Sequence, residues 1–180
     1  MNETKLLDGR LVVTTGDITK MKTGAIVNAA NSSLMGGGGV DGAIHRSGGP
    51  AILEECKQIR ESRYPDGLPT GEAVATTAGN LPAERVIHTV GPVWRGGNSG
   101  EAEKLASCYR RSLEEARKLS LKDIAFPAIS TGIYGYPKEK AGEVAFKAVR
   151  EFLDSSGLPE TVYFVFYSPG DARIFLDTVT

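Results

Sequence analysis

Asp41 and His45 stand four residues apart, Asn28 and Asn31 three apart, and four consecutive glycines, Gly36 to Gly39, separate the two pairs. On a helix, a spacing of four puts two side chains on one face, so a carboxylate and an imidazole could together orient or deprotonate a water. Four glycines in a row cost backbone entropy and are kept where the chain must take positive φ or come close to another group. Between a strand and a helix such a run forms a cradle whose N–H groups point at an anion, aided by the helix N-terminus behind it. The plainer alternative is a flexible surface loop. The run fits neither G-x-x-x-x-G-K-[ST] nor G-x-G-x-x-G with a downstream ribose carboxylate, so it speaks for phosphate without saying which one. Asp41 read alone is equally a cap for a helix starting near Gly42. That start would leave His45 in the first turn, where the helix dipole favours a neutral imidazole. Asn28 and Asn31 are turn formers or ligand-binding amides.

A second cradle has the same logic with other residues. In Ser130-Thr131-Gly132-Ile133-Tyr134-Gly135, hydroxyls can donate and glycines free the backbone, while Pro137 opens a helix whose amides favour an anion. An ordinary capped turn explains it as well. Two such cradles point to a ligand with two phosphates. Asp17, after Gly16, is an Asx-turn or a carboxylate accepting from an exocyclic amine such as adenine N6. Tyr167 is a core residue or a base-stacking one, and His88 reads as a satisfied structural histidine. Cys56 and Cys108 lack the spacing of a zinc site and read as reduced core residues.

The elements that must position these groups are strands and helices in alternation. Apolar runs at Leu11 to Thr15, Ala25 to Asn28, Ala73 to Thr77, Val86 to Val90, Asp123 to Ala128 and Val162 to Tyr167 predict strands. Val162 to Tyr167, apolar throughout, predicts a central one. Helical spacing runs from Ala141 to Leu153, from Ala102 to Ala116, and from Pro50, a favoured first position, through Ile59. This pattern predicts an α/β fold with helices on both faces of a sheet, and ligands in such sheets bind beyond the carboxyl ends of strands. Glu61 to Thr70 and Trp94 to Gly100 are polar, Gly/Pro-rich stretches expected to form mobile surface.

The chain has 180 residues, 22 of them glycine, with a formal net charge of −1. That length fits one domain. Near-zero charge argues against a protein that grips nucleic acid by its phosphates, and no apolar stretch reaches the length of a membrane span or a secretory signal. A soluble cytoplasmic protein is expected.

Taken together, Gly16-Asp17-Ile18-Thr19, the run NAANSSLMGGGGVDGAIHRSGG from Asn28 to Gly49, HTVGPVW from His88 to Trp94 and FPAISTGIYGYP from Phe126 to Pro137 closely resemble the macrodomain family. The likeness is to its MacroD-type hydrolase branch, and particularly to the bacterial O-acetyl-ADP-ribose deacetylases. It implies one macrodomain over residues 1–180: a three-layer α/β/α sandwich with a central mixed sheet, binding ADP-ribose at the sheet's carboxyl end. By family pattern Asp17 would bind the adenine amino group with Ile18 beside it, and Tyr167 would flank the base. Gly132, Ile133 and Tyr134 would wrap the diphosphate from one side, and Gly38, Gly39 and Val40 from the other. Asn31 and Asp41 match positions that orient the distal ribose and the attacking water, and His45 an accessory position. The implied reaction is hydrolysis of an ester on the distal ribose, of acetate or of an Asp or Glu side chain of a mono-ADP-ribosylated protein, without cofactor or metal. A non-catalytic ADP-ribose reader and an ADP-ribose 1″-phosphate phosphatase are the rivals.

Overall fold

A computed structural model describes residues 3–180. Its seven strands are β1 (Thr4–Leu6), β2 (Leu11–Thr15), β3 (Ala25–Ala30), β4 (Ala73–Thr77), β5 (Arg85–Val90), β6 (Asp123–Phe126) and β7 (Thr161–Phe166). The helices are α1 (Gly39–Gly48), α2 (Pro50–Ser62), α3 (Glu101–Lys118), α4 (Lys138–Ser155) and α5 (Pro169–Val179). One sheet joins the strands in the order β1-β2-β7-β6-β3-β5-β4. The five inner strands run parallel, whereas β1 and β4 pair antiparallel at the edges. The sheet is therefore mixed, and the carboxyl ends of β2, β7, β6, β3 and β5 open along a single edge.

Period-two alternation sorts each strand's side chains between two helical layers. Val27, Ile87, Ile124, Phe126, Val162 and Phe164 belong to the core beneath α3, α4 and α5, while Ile26, Val74, Val86, Ala125 and Val165 pack with Ile44, Ile52 and Cys56 of α1 and α2. Phe126 is fully buried among Tyr109 and Phe164, with ring centroids 4.9 and 6.0 Å away. Truncating such a side chain to Ala typically costs about 3–5 kcal/mol.

The expected α/β/α sandwich is therefore what the chain builds, with differences at element ends. The sixth strand stops at Phe126 rather than Ala128, because Pro127 has no N–H for the ladder. The third continues past Asn28 to Ala30, carrying Asn28 into the sheet. The last ends at Phe166, leaving Tyr167 91% exposed. Helix α1 starts at Gly39, not near Gly42, so His45 lies towards its C-terminal turn, away from the positive end of the helix dipole where a first-turn histidine would stand. Asp41 caps nothing and sits in the first turn. Strand β1 and helix α5 add to the elements that the sequence pattern predicts; Ser168, whose hydroxyl accepts from Asp171 N, and Pro169 at the first position mark the start of α5.

The two stretches expected to be mobile are tethered. Leu68 is buried and its N–H donates to Ser32 O, and the Arg60 guanidinium donates to the carbonyls of Ser33, Tyr64 and Pro65. The Glu101 carboxylate accepts from the backbone N–H groups of Arg95, Gly97 and Ser99. These amides, with that of Glu101 itself, outweigh the opposing effect of burial and hold the Glu101 pKa at about 2.

Candidate active site

A cleft of about 770 Å³ lies along the carboxyl edge of the parallel strands, a size that suits a small-molecule ligand. Strand order fixes its polarity. Gly16, Asp17 and Tyr167, from β2 and β7, form one end, and Asn31 and Gly91, following β3 and β5, form the other. Between them stand the two glycine-bearing segments, 37–41 leading into α1 and 130–134 after β6.

At the first end, Asp17 Oδ1 accepts from the Thr19 hydroxyl at 2.6 Å and from the Thr19 N–H at 3.0 Å. The hydroxyl bond does most to keep this carboxyl below its usual pKa, against desolvation and with help from the amide and Lys20. Its other oxygen has no protein donor among the described residues, so it can accept from a ligand. Ile18 is buried beside it.

In the middle, α1 begins on Gly39 with φ +58°, and its N-cap Gly38 offers no side chain to satisfy the first amides. The N–H groups of Gly39, Val40 and Asp41 thus point outward at the positive end of the helix dipole. Opposite them, Gly135 N donates to Gly132 O and Tyr136 N to Ser130 O, closing the 130–135 turn. Among the described residues no protein acceptor meets the N–H groups of Thr131, Gly132, Ile133 or Tyr134. Ser130 is held at φ +67° with its buried hydroxyl unpartnered. A Cβ at Gly91 would collide with that hydroxyl and with Ile129 Cγ2. Ile133 stands 98% exposed on the rim. Two sets of free amides facing one cleft make an anion cradle.

At the far end, Asp41 is 5% exposed. Its Oδ1 accepts from Asn28 Nδ2 at 2.8 Å and lies 3.4 Å from His45 Nε2. Its Oδ2 has no protein donor among the described residues and faces Gly37, where a Cβ would sit 3.2 Å from Oδ2 and 3.3 Å from Asn31 Nδ2. Asn31 is oriented in turn: Ser33 Oγ donates to its Oδ1 at 2.5 Å, and its Nδ2 donates to Gly36 O at 2.9 Å. One carboxylate oxygen is tethered and the other is presented, next to an amide, over a glycine.

The cleft thus sets two free-amide cradles between an acceptor at one end and a presented carboxylate at the other, in a chain whose sequence and fold recur in known proteins. The Macro domain family profile matches residues 27–145. The chain belongs to the macro domain family. The O-acetyl-ADP-ribose deacetylase of Salmonella typhimurium is 55% identical over 97% of this chain and 96% of its own, and that of Escherichia coli K12 is 54% identical over 92% and 93%. The Oceanobacillus iheyensis macrodomain with ADP superimposes with a TM-score of 0.92 at 42% identity, covering 99% of this chain and 94% of that one. The Trypanosoma brucei macrodomain in complex with ADP-ribose gives 0.85 at 38%, covering 96% and 70%.

Of the residues singled out in the sequence, the macro domain cleft gathers Asp17, Ile18, Asn31, Gly38, Gly39, Val40, Asp41, Ser130, Thr131, Gly132, Ile133, Tyr134 and Tyr167. His45 stands behind Asp41. Asn28, expected to bind ligand, is instead fully buried beneath the cleft floor, because β3 carries it into the sheet. Gly37 of the glycine run lines it too, and sequence reasoning missed Ala43, Arg46 and Gly91, which also line the cleft. The positions 39, 43 and 46 form a helical stripe that the spacing alone could have disclosed.

Proposed function

We propose that this macro domain binds ADP-ribose and hydrolyses esters on its distal ribose: it deacetylates O-acetyl-ADP-ribose and removes mono-ADP-ribose from Asp and Glu side chains of proteins. Asp17 accepts from the adenine amino group beside Ile18, and Tyr167 covers the base. Val40, Gly38 and Gly39 face Ser130, Thr131, Gly132, Ile133 and Tyr134 across the diphosphate. Asn31 holds the distal ribose, and Asp41 Oδ2 orients a water or takes its proton as that water attacks the ester carbonyl, with His45 steadying Oδ1. Carbon–oxygen cleavage then releases the free ribose hydroxyl and the carboxylic acid. Fixing the diphosphate and the water supplies most of the rate, since good positioning is worth more than the roughly 10² to 10⁴-fold of general-base help. The proposed setting is the cytoplasm, and nucleic acid is not the proposed partner.

The observation that carries this reading is the Asp41 carboxylate, tethered through one oxygen and presented through the other beside Asn31. A reader module needs the cradle but not that carboxylate. The test offers wild-type protein three substrates: O-acetyl-ADP-ribose, a protein ADP-ribosylated on carboxylates, and ADP-ribose 1″-phosphate. Release of acetate and of mono-ADP-ribose is expected. Asp41→Ala should lose turnover while its ADP-ribose affinity stays within about tenfold, ~1.4 kcal/mol. Binding without release from either ester would leave a reader, and cleavage of the 1″-phosphate alone a phosphatase.

A further inference from the structure

Beneath Asp41 lies a chain of buried polar groups that the proposed reaction does not touch. Asn28, Thr76 and His88 are each fully buried. Asn28 Nδ2 donates to Asp41 Oδ1 at 2.8 Å and lies 3.1 Å from His88 Nδ1. His88 Nε2 lies 2.9 Å from Thr76 Oγ1, and that hydroxyl donates to Thr77 O at 2.9 Å.

We propose that His88 is a positioning residue for Asp41: Thr76 sets its tautomer, the tautomer sets which way the Asn28 amide faces, and the amide holds the carboxylate.

Each link follows from what its atoms can donate or accept. A backbone carbonyl only accepts, so the Thr76 proton goes to Thr77 O. The hydroxyl oxygen is then free to accept, and His88 keeps its proton on Nε2. Nδ1 becomes the acceptor, which takes one N–H of Asn28 and leaves the other for Asp41. The opposite tautomer would call for the amide oxygen at Nδ1, turning that oxygen onto the Asp41 carboxylate, acceptor against acceptor. It would also strand both amide N–H groups where only Asn28 Oδ1 is now unpartnered. Burial, reinforced by His45, keeps His88 neutral by lowering its pKa to about 3, so the assignment is not disturbed at ordinary pH. Cys56 Sγ, 3.9 Å from Nε2, is at most a weak second acceptor. Tautomer control of this kind decides activity elsewhere, in the serine-protease triad.

The role rests on the hydrolase reading above, so its test includes readings independent of turnover. Nitrogen-15 spectra of ligand-free protein should show His88 neutral with the proton on Nε2; a proton on Nδ1, or an imidazolium at neutral pH, would overturn the proposal. In the acetate-release assay Thr76→Val should lower kcat between about tenfold and 10²-fold, as small misplacements at reacting groups do, with ADP-ribose affinity unchanged. Thr76→Ser should restore it. His88→Phe should cost as much and add nothing in the Thr76→Val background, since both act through one chain. Wild-type kcat in Thr76→Val, or an equal loss of binding, would overturn the role. Wild-type protein without turnover would instead remove the hydrolase reading, a result distinct from a failure of the variants.

Discussion

The two oxygens of the Asp41 carboxylate are placed differently, Oδ1 against Asn28 and His45 and Oδ2 over Gly37, and the proposed reaction needs the space that Gly37 leaves open. A Cβ at Gly37 would stand 3.2 Å from Oδ2 and 3.3 Å from Asn31 Nδ2, closer than ordinary van der Waals contact and in the space proposed for water. Gly37→Ala should therefore lower kcat at least tenfold while ADP-ribose affinity, measured by calorimetry, changes little; the same loss in both would place Gly37 in binding alone. Asp17 offers a complementary case. Its Oδ1 is committed to Thr19, so Asp17→Asn can keep that capping bond while replacing the free oxygen with a donor. The variant should fold as the wild type and bind ADP-ribose at least tenfold more weakly, a loss of ~1.4 kcal/mol; unchanged affinity would remove the adenine assignment. The Asp41 and His45 pair was legible because their spacing is local. Asn28 and His88 were not legible as partners, because only the register of β3 on β5 sets those residues side by side, 60 positions apart in the chain. A slip of one residue would turn either side chain to the other face of the sheet, and nothing in the local sequence announces the register.

At the scale of elements, the strands and the long helices announce themselves by period, while their ends and loops depend on partners elsewhere. Pro127 ended a strand that apolar content alone would have continued. The stretch 94–100, rich in glycine and polar residues, reads as mobile until Glu101 is seen collecting three of its amides. The stretch also leans on the cleft, since Trp94 N donates to Tyr134 O and the Trp94 ring packs on Tyr136 at 4.6 Å. Protonating Glu101 removes the charge those amides point at. Its folded pKa of about 2 lies below the ordinary 4.5, so its contribution to stability is whole above about pH 4.5 and is lost as pH falls towards about 2. Trp94 is the chain's single tryptophan, which makes its fluorescence a reporter of this loop. Wild-type protein should show a loop transition and a falling urea midpoint across that window, and Glu101→Gln should show the loosened loop already at neutral pH. An acid response identical in the two proteins would mean that the carboxylate does not hold the loop.

For the whole molecule, the strand order β1-β2-β7-β6-β3-β5-β4 joins distant segments and is not written in composition or periodicity; the likeness to a known family implies a central mixed sheet between two helical layers, not the order of its strands. What composition did carry was a tension between a net charge of −1 and 22 glycines, nine of which fall in the two segments 36–49 and 130–135. The structure resolves it in the make-up of the cleft wall, where Asp17, Asp41 and Asp171 face in with Arg46 as the one basic side chain among the described residues. Asp171 is further occupied by Lys138 at 2.7 Å. A diphosphate entering such a cleft must be met by the dipoles of the α1 terminus and of the 131–134 amides rather than by cationic side chains. Proteins that neutralise phosphates with Lys and Arg lose affinity steeply as salt rises, through counterion release and screening. Backbone amides at contact distance act as local dipoles without net charge, so screening by salt weakens their hold on a phosphate far less. ADP-ribose affinity measured by calorimetry should accordingly change less than about threefold between roughly 50 and 500 mM sodium chloride, and Arg46→Ala should leave that slope flat. A loss of tenfold or more over the same range would mean that charged side chains outside the described wall close on the ligand, and that the glycine segments serve the fold rather than the phosphates.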